Sequence, residues 1–183
     1  MRKKPDILAT RILARSRLFR IEALDLRFAN GATATYERLL GAPGGAVLMV
    51  PLLDAETVLL VREYCAGVDR YELAFPKGRI EAGEAPAQAA QRELMEETGY
   101  GAGRWDPLAT VTLAPGYFGH LTHLMLGRDL FPQRREGDEP EPVEVLPWPL
   151  ARWSELVGRE DFTEARSLLA LYLVRERLAG TPA

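Results

Sequence analysis

Apolar and polar residues alternate along much of the first forty positions of the chain. Phe19 and Ile21 alternate with Arg20 and Glu22, which is the period of two typical of a half-buried β-strand. The pair Asn30-Gly31 follows and favours a tight hairpin turn, because both residues tolerate positive φ. The pattern therefore predicts two or three antiparallel strands at the N-terminus.

Continuous apolar runs replace this alternation in the middle of the chain. The runs at 46–53 and 58–61 are separated by a short polar link, and uninterrupted apolar segments of this length are typical of strands that are buried on both faces. We expect these two strands to form a buried hairpin. The other predicted strands are 108–113 and 121–126, around the Pro115-Gly116 turn, and one near the end of the Pro-rich segment 134–149.

Two segments have the signals of helices. Residues 85–98 are the clearest, since Pro86 suits the first turn and Gly99 suits a left-handed end. A second helix is expected over about 161–178, begun by a capping box of Asp161 and Glu164. The stripe expected to face the body of the domain is Phe162, Ala165, Leu169, Tyr172 and Leu173.

Composition narrows the class of protein. Of 183 residues, 47% are hydrophobic and 27% are charged, which is ordinary for a globular domain. Twenty-six acids against 23 bases give a net charge of −3, so a dedicated nucleic-acid binder is not expected. The single cysteine, Cys65, cannot form an intramolecular disulfide. Arginines interrupt the early apolar segments and no apolar stretch is long enough to span a membrane, so we expect a cytoplasmic protein.

An acidic cluster in the predicted helix carries the candidate chemistry. Glu93 and Glu97 lie one helical turn apart, and Glu96 flanks them. Like charges at this spacing disfavour an isolated helix by a few tenths of a kcal/mol for each pair. A divalent cation such as Mg²⁺ would offset this repulsion, since it prefers carboxylate oxygens and keeps waters that phosphate groups can replace.

Neighbouring residues fit the same interpretation. Arg92 lies one turn before Glu96, and Glu84 lies near the start of the helix. The Arg92 guanidinium can therefore bind these carboxylates in a bidentate manner. Gly78 allows close backbone approach, which leaves the Lys77 carbonyl available as a metal ligand.

A solvated acidic face is the usual explanation for a Glu-rich helix. Here, however, seven residues must agree in type and spacing, and chance agreement is on the order of one in a million at average residue usage. The seven residues are Gly78, Glu84, Arg92, Glu93, Glu96, Glu97 and Gly99.

With this spacing, residues 78–100 resemble the Nudix box, Gly-x5-Glu-x7-Arg-Glu-U-x-Glu-Glu-x-Gly-U, where U is bulky and apolar. Tyr100 stands where an aliphatic residue is more usual. The resemblance implies an α+β fold, the Nudix α/β/α sandwich with a mixed central sheet and an N-terminal antiparallel strand element. It also implies hydrolysis of a nucleoside diphosphate linked to another moiety. We expect residues 45–183 to form the catalytic domain and residues 1–44 to help form a homodimer.

The resemblance also implies roles for individual residues. Glu93 and Glu97 would bind Mg²⁺, or Mn²⁺, together with the Lys77 carbonyl. Glu96 would assist them, and Arg92 and Glu84 would orient the carboxylates. Gly78 and Gly99 would support the site through the backbone.

Features outside the box indicate the substrate. Pro115, sixteen residues after Gly99, resembles the spacing in ADP-ribose pyrophosphatases, although a plain Pro-Gly turn explains it equally well. The wider chain resembles the bacterial ADP compounds hydrolases, which implies cleavage of ADP-ribose, NADH or diadenosine polyphosphates to leave AMP. The stretches that carry this resemblance are 61–64, 71–73, 136–142 and 162–166.

The acidic loop at 136–142 supplies candidates for the general base. Attack on phosphorus requires a deprotonated water, whose proton a loop carboxylate can accept. Glu139 and Glu141 are the first candidates and Glu136 is a further one, against the alternative of a solvated Pro-rich loop.

Three residues nearer the middle of the chain are candidates for substrate contact. Arg62 is best placed by sequence to meet charge on the leaving phosphate. Tyr64 and Glu72 could also contact substrate, with a core position equally open for Tyr64.

Other functions and sites are weaker alternatives. A non-catalytic module that senses a nucleotide or ADP-ribose could keep the fold, but it need not keep the repelling carboxylates. RNA 5′ ends or a sugar nucleotide could replace the ADP compound as substrate. His120 and His123 are not expected to form a zinc pair, because residues three apart in a strand face opposite sides. Cys65 has no base near it in sequence and is expected to be inert.

Overall fold

The computed structural model describes residues 2–41, 43–137 and 140–180. These residues form both β-strands and α-helices, as the hydrophobic pattern predicts. In chain order the elements are β1 (Asp6–Arg15), β2 (Arg20–Arg27), β3 (Thr33–Leu39), β4 (Ala46–Pro51), β5 (Thr57–Cys65), β6 (Arg70–Ala74), β7 (Lys77–Arg79), α1 (Pro86–Thr98), β8 (Tyr100–Ala114), β9 (Phe118–Pro132), β10 (Glu144–Pro149), a 3₁₀ turn (Leu150–Arg152), α2 (Trp153–Val157) and α3 (Ala165–Leu178).

The strands form two sheets. The larger one has seven strands in the order β1-β2-β3-β9-β4-β7, and β8 pairs with β9 beside this path. The smaller one has the order β10-β5-β6. The predicted N-terminal strands are confirmed as three antiparallel strands, and Gly31 in the turn between β2 and β3 has φ of 84°. The three N-terminal strands join the rest of the larger sheet through β3, which pairs with β9 in parallel at Leu39 and Phe118.

Strand β4 lies at the centre of the molecule. Leu48 and Val50 pack into one core cluster, which includes residues of the smaller sheet and α3. Val47 and Met49 pack into a second cluster with α1. Because successive side chains of a strand point to opposite faces, an all-apolar β4 is buried on both sides. The expected layering of helix, mixed sheet and helix is confirmed.

The predicted hairpin of 46–53 with 58–61 is wrong. Both segments are buried strands, but β4 pairs with β9 and β7, whereas β5 pairs with β6 and β10. A single bridge from Leu52 to Val58 joins them. Proximity in sequence favoured the hairpin, yet β9 offers β4 a longer ladder, and β6 and β10 do the same for β5.

The start and the buried face of the last helix also differ from the prediction. The N-cap is Glu164, whose carboxylate accepts hydrogen bonds from the backbone of Arg166 and Ser167. Phe162 and Leu173 pack on the core as expected, but Ala165, Leu169 and Tyr172 are exposed. The buried residues of α3 are Ser167, Ala170, Leu171 and Val174.

The buried face is the one that packs on the core cluster, which contains Ala170, Leu171 and Val174, and the helical spacing alone does not decide which face that is. Asp161 does not cap the helix and instead binds Arg159 and Arg62. No helix in the described ranges combines the length and the apolar character needed to cross a bilayer.

Candidate active site

Helix α1 presents its charged residues because its apolar residues are anchored in the core. Ala89, Ala90 and Leu94 are buried in the cluster that contains Val47 and Met49 of β4. The helix ends as predicted, with Gly99 in the left-handed conformation at φ 77°. The anchored face fixes the rotation of the helix, so the carboxylates after Arg92 point into a cleft beside β7.

Arg92 is the centre of a carboxylate clamp. Its Nε and Nη2 atoms donate to the two carboxylate oxygens of Glu84, each at 2.9 Å. Its Nη1 atom donates to Glu93 at 2.9 Å and to Glu96 at 3.1 Å, and Nη2 also donates to the Arg79 carbonyl. The guanidinium therefore uses all of its N–H donors. The hydrogen bonds from Arg92 lower the pKa of Glu84 to about 2 against an opposing effect of burial.

Gly78 makes room for one of these carboxylates. A Cβ atom at this position would overlap the carboxylate carbon and oxygens of Glu93. Gly78 itself is fixed in β7, where it pairs with Val47 of β4. Only glycine lets the strand backbone and the Glu93 carboxylate come this close, so the predicted need for glycine has a steric basis.

Glu97 occupies the most enclosed position among the acids of α1. It is 5% exposed, and its Oε2 atom accepts a hydrogen bond from the backbone N–H of Lys77 at 3.2 Å. Burial raises the pKa of Glu97 well above its ordinary value, the positive charge of Lys77 opposes the rise, and the negative charge of Glu63 adds to it. Buried ionised carboxylates require a nearby cation, so this position is suited to binding one.

Sequence reasoning missed Glu63. Its carboxylate forms an ion pair with the Lys77 ammonium, and both side chains are largely buried. Glu63 lies in β5 of the smaller sheet, whereas Lys77 lies in β7 of the larger one. A signal was present, since Glu63 lies soon after the buried apolar run of β5 and a partly buried acid needs a cation, but the sequence could not identify that cation as Lys77.

The acids line a cleft of about 950 Å³. Its walls are β7 with the loop that follows it, the charged side of α1 and the start of the acidic loop. The residues most relevant here are Lys77, Gly78, Arg92, Glu93, Glu96, Glu97 and Glu136.

The candidates for the general base lie in different surroundings. Glu136 lines the cleft together with Glu96. Glu141 accepts a hydrogen bond of 2.7 Å from the Tyr71 hydroxyl. A depression beside the cleft is lined by Glu96, Glu136 and Glu141, so it connects the surroundings of Glu136 with those of Glu141. Glu139 lies outside the described residues.

Two predicted substrate-binding residues, Arg62 and Glu72, make contacts within the protein. Arg62 pairs with Asp161 and Glu144, each at 3.1 Å, outside the lining of the cleft. Glu72 is 4% exposed and accepts hydrogen bonds from Arg70 and Thr163. Burial favours the neutral acid, but the hydrogen bonds from Thr163 and Arg70 lower the pKa of Glu72 below its ordinary value. Their contacts give both residues a structural role, because each ties the segment before α3 to the smaller sheet.

The remaining candidates lie at the periphery. Tyr64 is half exposed, packs edge-to-face on Tyr71 and donates to Asp69. His120 stacks on Phe118, with ring centroids 5.2 Å apart. Burial raises the pKa of the Cys65 thiol, with Lys77 opposing, so the thiol is held in its less reactive form.

The donor set fits a hard divalent cation. Within 2–41, 43–137 and 140–180, no three acidic, histidine or cysteine side chains converge as a complete metal cage. Mg²⁺ does not need one, because it binds through one or two carboxylates and fills its other positions with waters and substrate phosphates. Glu93, lying against Gly78, and Glu97, in its enclosed pocket, are suited to that mode.

Two family models match the chain. The NUDIX domain matches residues 42–169, and the NudE-type Nudix hydrolase N-terminal domain matches residues 5–38. The first match contains the acidic helix, the cleft and the loop at 136–142.

Known proteins resemble the chain over nearly all of its length. It is 46% identical to the ADP compounds hydrolase NudE of Escherichia coli strain K12, over 97% of this chain and 95% of that protein. It is 29% identical to the ADP-ribose pyrophosphatase of Bacillus subtilis strain 168, over 90% of this chain and 91% of that protein. A crystal structure of an ADP compounds hydrolase superimposes with a TM-score of 0.93 at 45% identity, covering 98% of this chain and 97% of the other.

Proposed function

This chain belongs to the Nudix hydrolase family and is a pyrophosphohydrolase, and we propose that it cleaves the pyrophosphate linkage of ADP-containing compounds to release AMP. ADP-ribose, NADH and diadenosine polyphosphates are the substrates we expect. The observation that carries the proposal is that Glu93, Glu96 and Glu97 all line one cleft. The similarity to an ADP compounds hydrolase over nearly the whole chain supports the choice of substrate.

Members of this family generally need a divalent metal ion, and we propose Mg²⁺, with Mn²⁺ as a substitute. Glu93 and Glu97, with the Lys77 carbonyl, would hold the ion. When bound, the ion lowers the pKa of an attacking water and neutralises charge on the phosphates. Glu96 would assist from the same side of the helix.

Arg92 acts as a positioning residue in this proposal. Its bonds to Glu84 lock the guanidinium to the start of the helix, and its bonds to Glu93 and Glu96 orient those carboxylates toward the cleft. Orientation before the substrate arrives lowers the reorganisation needed during the reaction.

The proton of the attacking water goes to a carboxylate of the loop at 136–142 in our proposal. Glu136 is supported by its place in the cleft, and Glu141 by its place beside the same acids. Glu139 stays a candidate from the sequence. Replacing each of them by glutamine in turn would identify the base, since its loss lowers turnover by roughly 10²–10⁴-fold.

We further propose a homodimer in which residues 1–44 form the dimerisation element and residues 45–183 form the catalytic domain. All described residues of β1 are exposed, among them Ile7, Leu8, Ile12 and Leu13. Phe19 in the turn after β1 is also 56% exposed. Strand β1 is an edge strand of its sheet, and several exposed apolar side chains on one edge strand are typical of protein–protein interfaces. The cytoplasmic location expected from the sequence stays a prediction.

One incubation tests the activity and the site of attack. The protein is mixed with Mg²⁺ and, separately, with ADP-ribose, NADH, diadenosine triphosphate, GDP-mannose and capped RNA in ¹⁸O-labelled water. We expect AMP from the three ADP compounds, and the product that carries the label identifies the phosphorus attacked. Turnover of GDP-mannose or capped RNA alone would refute the proposed substrate class.

A further inference from the structure

A partly buried ion pair joins the two sheets next to the proposed metal-binding acids. Glu63 belongs to β5 of the smaller sheet and Lys77 to β7 of the larger one. Their side chains are 23% and 18% exposed, respectively. Because partly buried ion pairs are screened less by solvent than surface pairs, this pair affects the charges around it more strongly than a surface pair would.

Lys77 contacts two carboxylates, Glu63 through its side chain and Glu97 through its backbone. Its ammonium is paired with Glu63, and its backbone N–H donates to Glu97. Burial disfavours the ammonium, but the charges of Glu63 and Glu97 outweigh burial and raise the pKa of Lys77. The thiol of Cys65, two residues after Glu63 in β5, is neutral because burial raises its pKa. The Lys77 ammonium therefore interacts with Glu63 and Glu97, and the negative charge of Glu93 also acts on Glu97.

We propose that Glu63 is a positioning residue of the metal site, which binds the Lys77 ammonium and so prevents it from competing with the divalent ion for Glu97. This inference rests on the proposed metal-dependent hydrolysis. The lysine stem is long and flexible, and its backbone is already fixed beside Glu97 by a hydrogen bond. Without Glu63, the nearest remaining carboxylate for the ammonium is the one that the metal ion needs.

The proposal predicts opposite effects for the two members of the pair. Glu63→Gln frees the ammonium and should weaken metal binding. Lys77→Met removes the competing charge, keeps the backbone groups of residue 77, and should strengthen metal binding. The double variant removes both charges and should return the affinity to within about threefold of the original, because no ammonium is left to compete once Glu63 is lost.

Calorimetric titration with Mn²⁺, without substrate, measures these affinities directly. We expect Glu63→Gln to raise the dissociation constant about tenfold or more. Turnover of ADP-ribose by Glu63→Gln should be low at limiting metal and should rise as the metal concentration approaches saturation, because the ion then outcompetes the ammonium. A purely structural role would instead lower the melting temperature and turnover without this dependence on metal concentration.

Two further variants complete the design. Glu155→Gln removes an exposed carboxylate from an ion pair with Arg152 and should leave the Mn²⁺ affinity unchanged. Glu63→Asp keeps the charge and should bind Mn²⁺ nearly as tightly as the original protein. If Glu63→Gln does not fold, Lys77→Met carries the test, because the inference requires it to bind Mn²⁺ more tightly than the original, and an unchanged dissociation constant would overturn the inference.

An unchanged dissociation constant in Glu63→Gln would overturn the inference, and so would a double variant as weak as Glu63→Gln. Either result, in a protein whose original form cleaves ADP-ribose, leaves the proposed function intact. If the original protein binds Mn²⁺ but cleaves no ADP compound, the proposed function fails, and the titration still decides the role of Glu63.

Discussion

The N-terminal strand β1 exposes apolar side chains to solvent, whereas helix α1 buries a carboxylate. Strand β1 leaves Ile7 57% exposed and Ile12 52% exposed, whereas α1 buries Glu97 to 5% exposure. Exposed apolar side chains and buried carboxylates are both unfavourable in an isolated chain. Each arrangement becomes favourable with a partner of matching chemistry, an apolar surface for β1 and a cation for α1. The comparison teaches that departures from simple burial rules point to the partners of a protein.

Removing the buried carboxylate should have the largest effect on activity. Glu97→Gln keeps the shape of the side chain and removes its charge, so we expect turnover of ADP-ribose with Mg²⁺ to fall about a thousandfold or more, the equivalent of roughly 4 kcal/mol. Circular dichroism should show an intact fold. The matched control is Glu176→Gln, at an exposed position of α3. Undiminished turnover in Glu97→Gln would refute the assignment of the metal site.

Filling the space beside Glu93 should have the next largest effect. Gly78→Ala places a methyl group where the Glu93 carboxylate lies, and we expect turnover to fall about a hundredfold, because small displacements of reacting groups reduce rates by this much. Gly158→Ala, where a Cβ meets only ordinary contacts, is the control. Equal activity in the two variants would show that the Glu93 carboxylate can move without loss.

Introducing charges into the exposed strand β1 tests whether its apolar residues form a dimer interface. With glutamate at both Ile7 and Ile12, an apolar interface would have to bury two charges, so light scattering should change from a dimer mass to the 20.4 kDa of one chain. Val68→Glu, at another exposed apolar residue, should leave the mass unchanged. A single-chain mass in the unsubstituted protein, independent of concentration, would remove the proposed dimer.

The smallest effect concerns stability against acid. The pKa of Glu84 is lowered to about 2 from its ordinary value of 4.5, so its contribution to stability is present above pH 4.5 and is lost as the pH falls toward 2. Glu84→Gln removes this contribution. Allowing for solvent screening, we expect a loss of about 1 kcal/mol in the free energy of unfolding at pH 7.

Urea unfolding at pH 7, 4 and 3 measures this contribution. The free energy of unfolding of the original protein should fall more steeply between pH 4 and pH 3 than that of Glu84→Gln. Glu160→Gln, at an exposed position, serves as the control. Parallel pH profiles for the original protein and Glu84→Gln would contradict the assigned role of the Arg92 clamp.

The local elements were largely predictable from the sequence. Helix α1 begins and ends where Pro86 and Gly99 indicate, and the Asn30-Gly31 and Pro115-Gly116 turns separate the strands as expected. These features depend on residues close in sequence, whose allowed φ and ψ values are set by their own chemistry. Strands β8 and β9 extend well beyond their apolar centres, because backbone pairing with each other continues where the hydrophobic pattern ends.

Predictions that depend on distant partners were less successful. The pairing of β4 with β9 and the role of Glu164 as helix cap were missed. The substrate contacts of Arg62 and Glu72 stay predictions, and the sequence did not indicate their partners within the chain, Asp161 and Thr163, about ninety to a hundred positions away.

The sequence by itself determined which residues of α1 share a face and which family the chain resembles, because helical spacing and a seven-residue pattern are properties of the linear order. Only the tertiary structure decided that Arg92 binds three carboxylates at once, that Gly78 admits the Glu93 carboxylate and that Glu63 meets Lys77. The physical reason is that burial and charge pairing act through space. Their strength is set by the neighbours that packing brings together, whatever their separation along the chain.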